Sequence, residues 1–154
     1  MSQSTRFAAR TNVSSEQSRA EIERTLRRYG ADGFSYGWDG NIALLMFKLN
    51  NRLIRFTLLL PNREEFRYTE TRGIRRAEID VDKAWEQASR QRWRALSLVI
   101  KAKLEAVESG ITTAEDEFLA HIVLPDNTTL GQWAAPQIEA AYKTGQMPKL
   151  LPGG

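Results

Sequence analysis

Apolar residues recur along this chain with two different periods, and the changes of period mark its elements. Ile22, Leu26 and Tyr29 stand at i, i+4 and i+7 between Ser14 and Gly30, the spacing of a single buried helical stripe. Ser14 with Gln17 three residues on predicts the N-cap, and Gly30 the stop. Arg24, Arg27 and Arg28 fall on the outer side. From Phe34 the period becomes two: Phe34, Tyr36 and Trp38 alternate with Ser35 and Gly37, and two apolar runs follow, Ile42 to Leu49 and Arg52 to Leu60. Asp39-Gly40 and Asn50-Asn51 are two-residue turn signals. The expectation is an antiparallel meander in which Tyr36 pairs with Ala43, Phe34 with Leu45, Leu45 with Phe56 and Phe47 with Ile54. Alternation then puts Phe34, Tyr36, Trp38, Leu45, Phe47, Ile54, Phe56 and Leu58 on the core face. Sharing that face with the most apolar neighbours makes the three aromatics core residues rather than a base-stacking platform. The opposite face carries Leu44, Met46, Lys48, Leu53, Arg55, Thr57 and Leu59. It is too apolar to stand bare and too charged for a core, which predicts partial cover by a helix, a second subunit or a ligand.

Beyond Pro61 the chain turns polar. Glu65 to Thr69 is expected to form a short edge strand and Thr71 to Arg76 a basic loop. Asp80 or Asp82 should cap a long helix reaching about Ser109, with Gly110 as its stop. Its predicted buried stripe is Trp85, Ala88, Leu96, Val99, Ile100 and Val107, with Trp93 at the edge; Arg90, Arg94 and Lys101 line the opposite side. Thr112 with Glu115 predicts a short acidic helix to about His121, followed by an extended Ile122-Val123-Leu124. Thr129 with Gln132 caps a last helix that Pro136 should kink or restart and Gly145 should end. Residues 1–12 read as a disordered polar lead, 13–146 as one domain and 147–154 as a flexible tail. The predicted class is α+β: a three- or four-stranded antiparallel meander with helices packed mainly on one face.

Composition narrows the chemistry. With 154 residues, 42% hydrophobic and no cysteine, the chain can bury a core without disulfides, and thiol catalysis, Fe–S clusters and thiolate zinc sites are excluded. No apolar run approaches the length of a membrane span and the N-terminal residues lack a signal-peptide pattern, so the cytoplasm is the expected location. The net charge of +3 is unevenly spread: residues 1–94 carry 18 Lys/Arg against 12 Asp/Glu, and the remainder 4 against 7. All sixteen arginines lie in the first part. Arginine forks onto carboxylates and phosphates, so an anionic partner would dock there unless neighbouring acids already occupy the guanidiniums.

Catalytic signals are sparse. His121 is the one histidine, which removes the multi-histidine zinc site, and no serine sits in a glycine-flanked elbow. No phosphate-binding glycine loop is present and no cofactor is expected. Glu117 and His121, spaced i, i+4 with Glu105, Glu108 and Asp116 in the neighbourhood, form one candidate Mg²⁺ or Mn²⁺ site for phosphodiester cleavage. Acids in a first helical turn also complement the helix dipole, and His121 beside Ile122 and Val123 also reads as a packed residue.

The stretches VSSEQSRAEIERTLRR (13–28), WEQASRQRWRALSLVIKAKLEAVE (85–108), TAEDEFLAHIVLP (113–125) and QIEAAYKTGQMPKLLP (137–152) resemble a family of short proteins encoded by bacteriophages, prophages and integrative elements. The resemblance implies a mobile-element setting and brings no activity or functional residue with it. Two binding readings follow from the residues. One is nucleic acid, its phosphates met by Arg72, Arg75, Arg76, Arg90, Arg94 and Lys101. The other is a host protein, or a second copy of the chain, on the outer sheet face at Leu44, Met46, Leu53 and Arg55. The metal-dependent nuclease at Glu117 and His121 is the third.

Overall fold

The alternating segments form three strands of one antiparallel sheet in the order β1 (Asp32–Asp39), β2 (Ile42–Leu49) and β3 (Arg52–Leu59). The computed structural model describes residues 16–148; the expected cap at Ser14, the lead 1–12 and the tail from 149 lie outside them. The second hairpin closes on Asn50 and Asn51, both at positive φ (49° and 63°), so that Leu45 faces Phe56 and Phe47 faces Ile54 as expected. In the first hairpin the turn is Gly40-Asn41 rather than Asp39-Gly40, and Tyr36 pairs with Leu45 and Trp38 with Ala43. Gly40, at φ 58°, takes the first central position, where a primed turn needs positive φ. The slip is by two residues, so every side chain keeps its face. Near its start β1 also carries a bulge, with Gly33 at φ 61° and its missing Cβ position 3.3 Å from the Lys48 side chain.

A helix over residues 16–28, α1, and the 31-residue α2 (Glu78–Glu108) cover one face of the sheet. Ile22 and Leu26 of α1, the strand residues Leu45, Phe47, Ile54 and Phe56, and Trp93, Ile100 and Leu104 of α2 share one core. The buried stripe of α2 is rotated from the expected one. It runs Val81, Ser89, Trp93, Leu96, Ser97, Ile100 and Leu104, with Trp93 only 1% exposed, whereas Val99 is 45% exposed. Two serines within the stripe conceal it from a hydrophobicity pattern, and the large indole packs 5.5 Å from the Tyr36 ring, which sets the helix rotation. Trp38, expected in the core, is 63% exposed. It lies at the turn end of the edge strand beside the small Ala43, where neighbouring side chains offer little cover.

The polar stretch after Pro61 contains a 3₁₀ turn (Arg63–Phe66) in place of the expected edge strand, and its pairing is limited to a single Tyr68 to Arg75 bridge. Helix α2 begins at Glu78, two residues earlier than the first expected cap. The acidic helix is shorter than expected: α3 (Ala114–Glu117) is capped by Thr113, whose hydroxyl accepts from the Asp116 amide, and a 3₁₀ turn (Leu119–His121) follows. Ile122 and Val123 then meet the free edge of β3 through an Ile54 to Ile122 bridge and the Val123 amide donating to the Leu53 carbonyl at 2.8 Å. Helix α4 (Leu130–Thr144) has the full Thr129–Gln132 capping box and runs through Pro136 without restarting. The result is an α+β fold. Among the described residues no helix is long and apolar enough to cross a membrane.

Candidate nucleic-acid interface

Most of the described arginines are already occupied by carboxylates, carbonyls or rings; Arg24, Arg72, Arg75, Arg90 and Arg94 are the exceptions. Arg63 donates from Nε to Asp82 at 2.5 Å and from Nη2 to Glu78 at 2.6 Å, while Arg67 binds Glu64 at 2.8 Å and also Glu78. Hydrogen bonds from Arg63 and then Arg67 hold the Glu78 carboxyl below the ordinary carboxylate range. This network pins the 62–77 segment to the first turn of α2. Arg76 is spent differently: its guanidinium donates to the carbonyls of Phe66 and Tyr68 at 3.0 and 3.3 Å. Arg52 pairs with Glu115, Arg27 with Glu23, and Arg92 donates to the Leu59 carbonyl.

Arg72 and Arg75 stay exposed on the loop, and Arg90, Arg94 and Lys101 on the outer face of α2. None of these five has a carboxylate within ion-pair distance among the described residues. Arg90, Arg94 and Lys101 lie within about 40° of one another around the helix. Lys83, seven residues before Arg90 and equally exposed, extends the stripe; its helical spacing was visible in the sequence. Arg72 and Arg75 precede α2 in the chain, and Arg90 stands about 18 Å along the helix from Glu78 at the helical rise.

What the sequence could not show is the opposite wall. The Arg19 guanidinium lies 3.8 Å over the Tyr36 ring, and Tyr36 packs against Trp93, so α1 and α2 meet above β1. Burial raises the Tyr36 hydroxyl pKa, partly offset by the Arg19 charge. Between the two helices runs an open groove of about 590 Å³. Gln17, Ser18 and Glu21 of α1 form one side; Gln87, Arg90, Gln91, Arg94, Ser97 and Leu98 of α2 form the other. Ser97 is among the buried residues and lies at its floor, while Arg90 and Arg94 are exposed. Among the described residues its chemistry is that of guanidiniums, side-chain amides and hydroxyls with one carboxylate.

The other candidates fare differently. Glu117 accepts from Lys103 at 3.1 Å, and His121 stacks on Phe56 with ring centroids 4.0 Å apart. Burial, and secondarily the Lys103 charge, lowers the His121 pKa. Among the described residues no group of three or more His, Asp or Glu side chains is placed to hold a metal. On the outer sheet face Arg55 is bound to the Asn127 carbonyl at 2.9 Å and to Gln132 at 3.3 Å, so residues 127–132 supply part of the expected cover. Leu44 and Leu53 remain 36% exposed and Met46 is partly covered. Comparison with family models, with curated proteins and with solved structures finds no match to this chain, so the functional reading rests on the groove itself.

Proposed function

We propose that this protein binds nucleic acid without enzymatic action, as an accessory protein of a phage or mobile element, and that the groove between α1 and α2 is its docking site. The observation that carries the reading is the placement of Arg90 and Arg94, two exposed guanidiniums that share one groove and that no described carboxylate neutralises. Guanidiniums in that state gain by meeting phosphate, and displaced counterions supply the free energy. Lys83 and Lys101 continue the positive stripe on either side; Arg72 and Arg75 are outlying contacts. Occupation of Arg76 by loop carbonyls leaves it a supporting part. The test is fluorescence anisotropy with labelled single- and double-stranded DNA and RNA between about 50 and 200 mM salt. Binding that weakens steeply with salt, and is lost in the Arg90→Glu/Arg94→Glu variant at unchanged circular dichroism, is the expected result. Retained affinity in that variant removes the groove from consideration, and absence of binding at low salt removes nucleic acid altogether.

A further inference from the structure

Glu21 stands in the wall of the groove that Arg90 and Arg94 also line, yet it forms no ion pair with either. Guanidiniums and carboxylate thus keep their binding capacity within one concavity. A bare phosphate would satisfy the arginines and be repelled by Glu21. A ligand that brings both an anion and an N–H donor satisfies both walls. Gln17, Gln87 and Gln91, each able to donate and accept, complete a lining of the type that reads base edges.

We infer, building on the proposed nucleic-acid function, that the groove seats one nucleotide of a single strand, with its phosphate on Arg90 and Arg94 and an amino-bearing base edge on Glu21. The groove volume of about 590 Å³ is in the range of small-ligand sites. A base enters such a groove only when it is unpaired, because a duplex presents a broad convex surface. Among the described residues no aromatic side chain lines the groove, so recognition by these residues falls on hydrogen bonds rather than stacking, and base identity matters. A carboxylate accepts from the exocyclic amino groups of cytosine and adenine; thymine turns carbonyl oxygens toward it on both sides of its imide N–H.

The experiment measures binding of the full chain to labelled oligo(dC), oligo(dA) and oligo(dT) of about 12 nucleotides, and to a mixed-sequence duplex of the same length, at about 50 mM salt. The expected result is affinity for oligo(dC) and oligo(dA) about tenfold above that for oligo(dT), with the duplex weaker than either. Glu21→Gln, on the exposed side of α1, should abolish the discrimination, since an amide can donate to the thymine carbonyls. Equal binding of the three strands, or a uniform tightening by Glu21→Gln, would show that Glu21 only repels and overturns the inference while leaving nucleic-acid binding intact. Tighter binding of the duplex would overturn the seat for an unpaired base, again leaving nucleic-acid binding intact. Failure of every oligonucleotide to bind overturns the underlying reading as well.

Discussion

Phe118 and His121 show how much single side chains contribute to this fold. Phe118 is fully buried, edge-on to Phe47 at 5.8 Å and to Phe56 at 6.2 Å, and it ties the segment after α2 to the sheet. Phe118→Ala should cost about 3–5 kcal/mol, read by urea unfolding. His121 lies against Phe56 with its pKa held below the ordinary value, first by burial and then by Lys103. The folded state therefore binds the imidazole proton less readily than the unfolded chain. Its contribution is complete above about pH 6.5, the unfolded value, and is lost as pH falls from there toward the folded pKa. Thermal melts at about pH 7.5 and pH 5.5 should show lower stability at the acid end. His121→Phe, which retains a ring on Phe56, should flatten that difference, and an equal drop in both proteins would refute it. The shifts at Glu78 and Asp126 are downward carboxylate shifts and act at lower pH. His121 was legible as a packed residue from the apolar Ile122 and Val123 beside it. Trp38 was not legible as exposed, because alternation assigns a side chain to a face without saying how far the covering layer extends.

Among the elements, α4 is the least anchored. None of its residues is buried, and its attachments gather at the first turn. The Leu130 amide donates to the Ile122 carbonyl at 2.9 Å, Gln132 accepts from Arg55, and Gly131 approaches so closely that a Cβ there would stand 3.0 Å from the Ala120 carbonyl oxygen. Short helices without packing are marginal in water, so the capping box carries much of its stability. Thr129→Ala should cost about 1 kcal/mol and raise hydrogen exchange across Leu130–Thr144 without changing protection in β2. Equal loss of protection in both would mean that α4 is integral to the core. The cap was readable because it is a contact over three residues. The rotation of α2 was not: Ser89 and Ser97 occupy core positions, and hydrophobicity alone turned the helix toward Val99 and away from Trp93.

For the whole molecule, the residues that hold the fold and those of the proposed binding surface are different ones. Arg90, Arg94, Lys83 and Lys101 are exposed, so their reversal should leave the melting temperature nearly unchanged while removing affinity. Contact with three phosphates, one on Arg90 and Arg94 together and one each at Lys83 and Lys101, predicts a log–log salt slope of about −2 for a single strand, and the Arg90→Glu/Arg94→Glu variant, if any binding persists, should be shallower by about 0.7. A slope unchanged by the double reversal would place the phosphates elsewhere. The sequence by itself determined the strand parity, the Asn50-Asn51 hairpin register, the cap at Thr129 and the aromatic face of the sheet, because each depends on residues close together in the chain. It also marked Arg90, Arg94 and Lys101 as one helical face. Only the tertiary structure decided which arginines are spent, on Glu64, Glu78, Asp82 or backbone carbonyls, and which remain free. It alone brought Glu21 to a shared groove with Arg90 and Arg94. The packing of Tyr36 between Arg19 and Trp93 sets that juxtaposition, and contacts between residues so far apart in the chain leave no periodic trace in it.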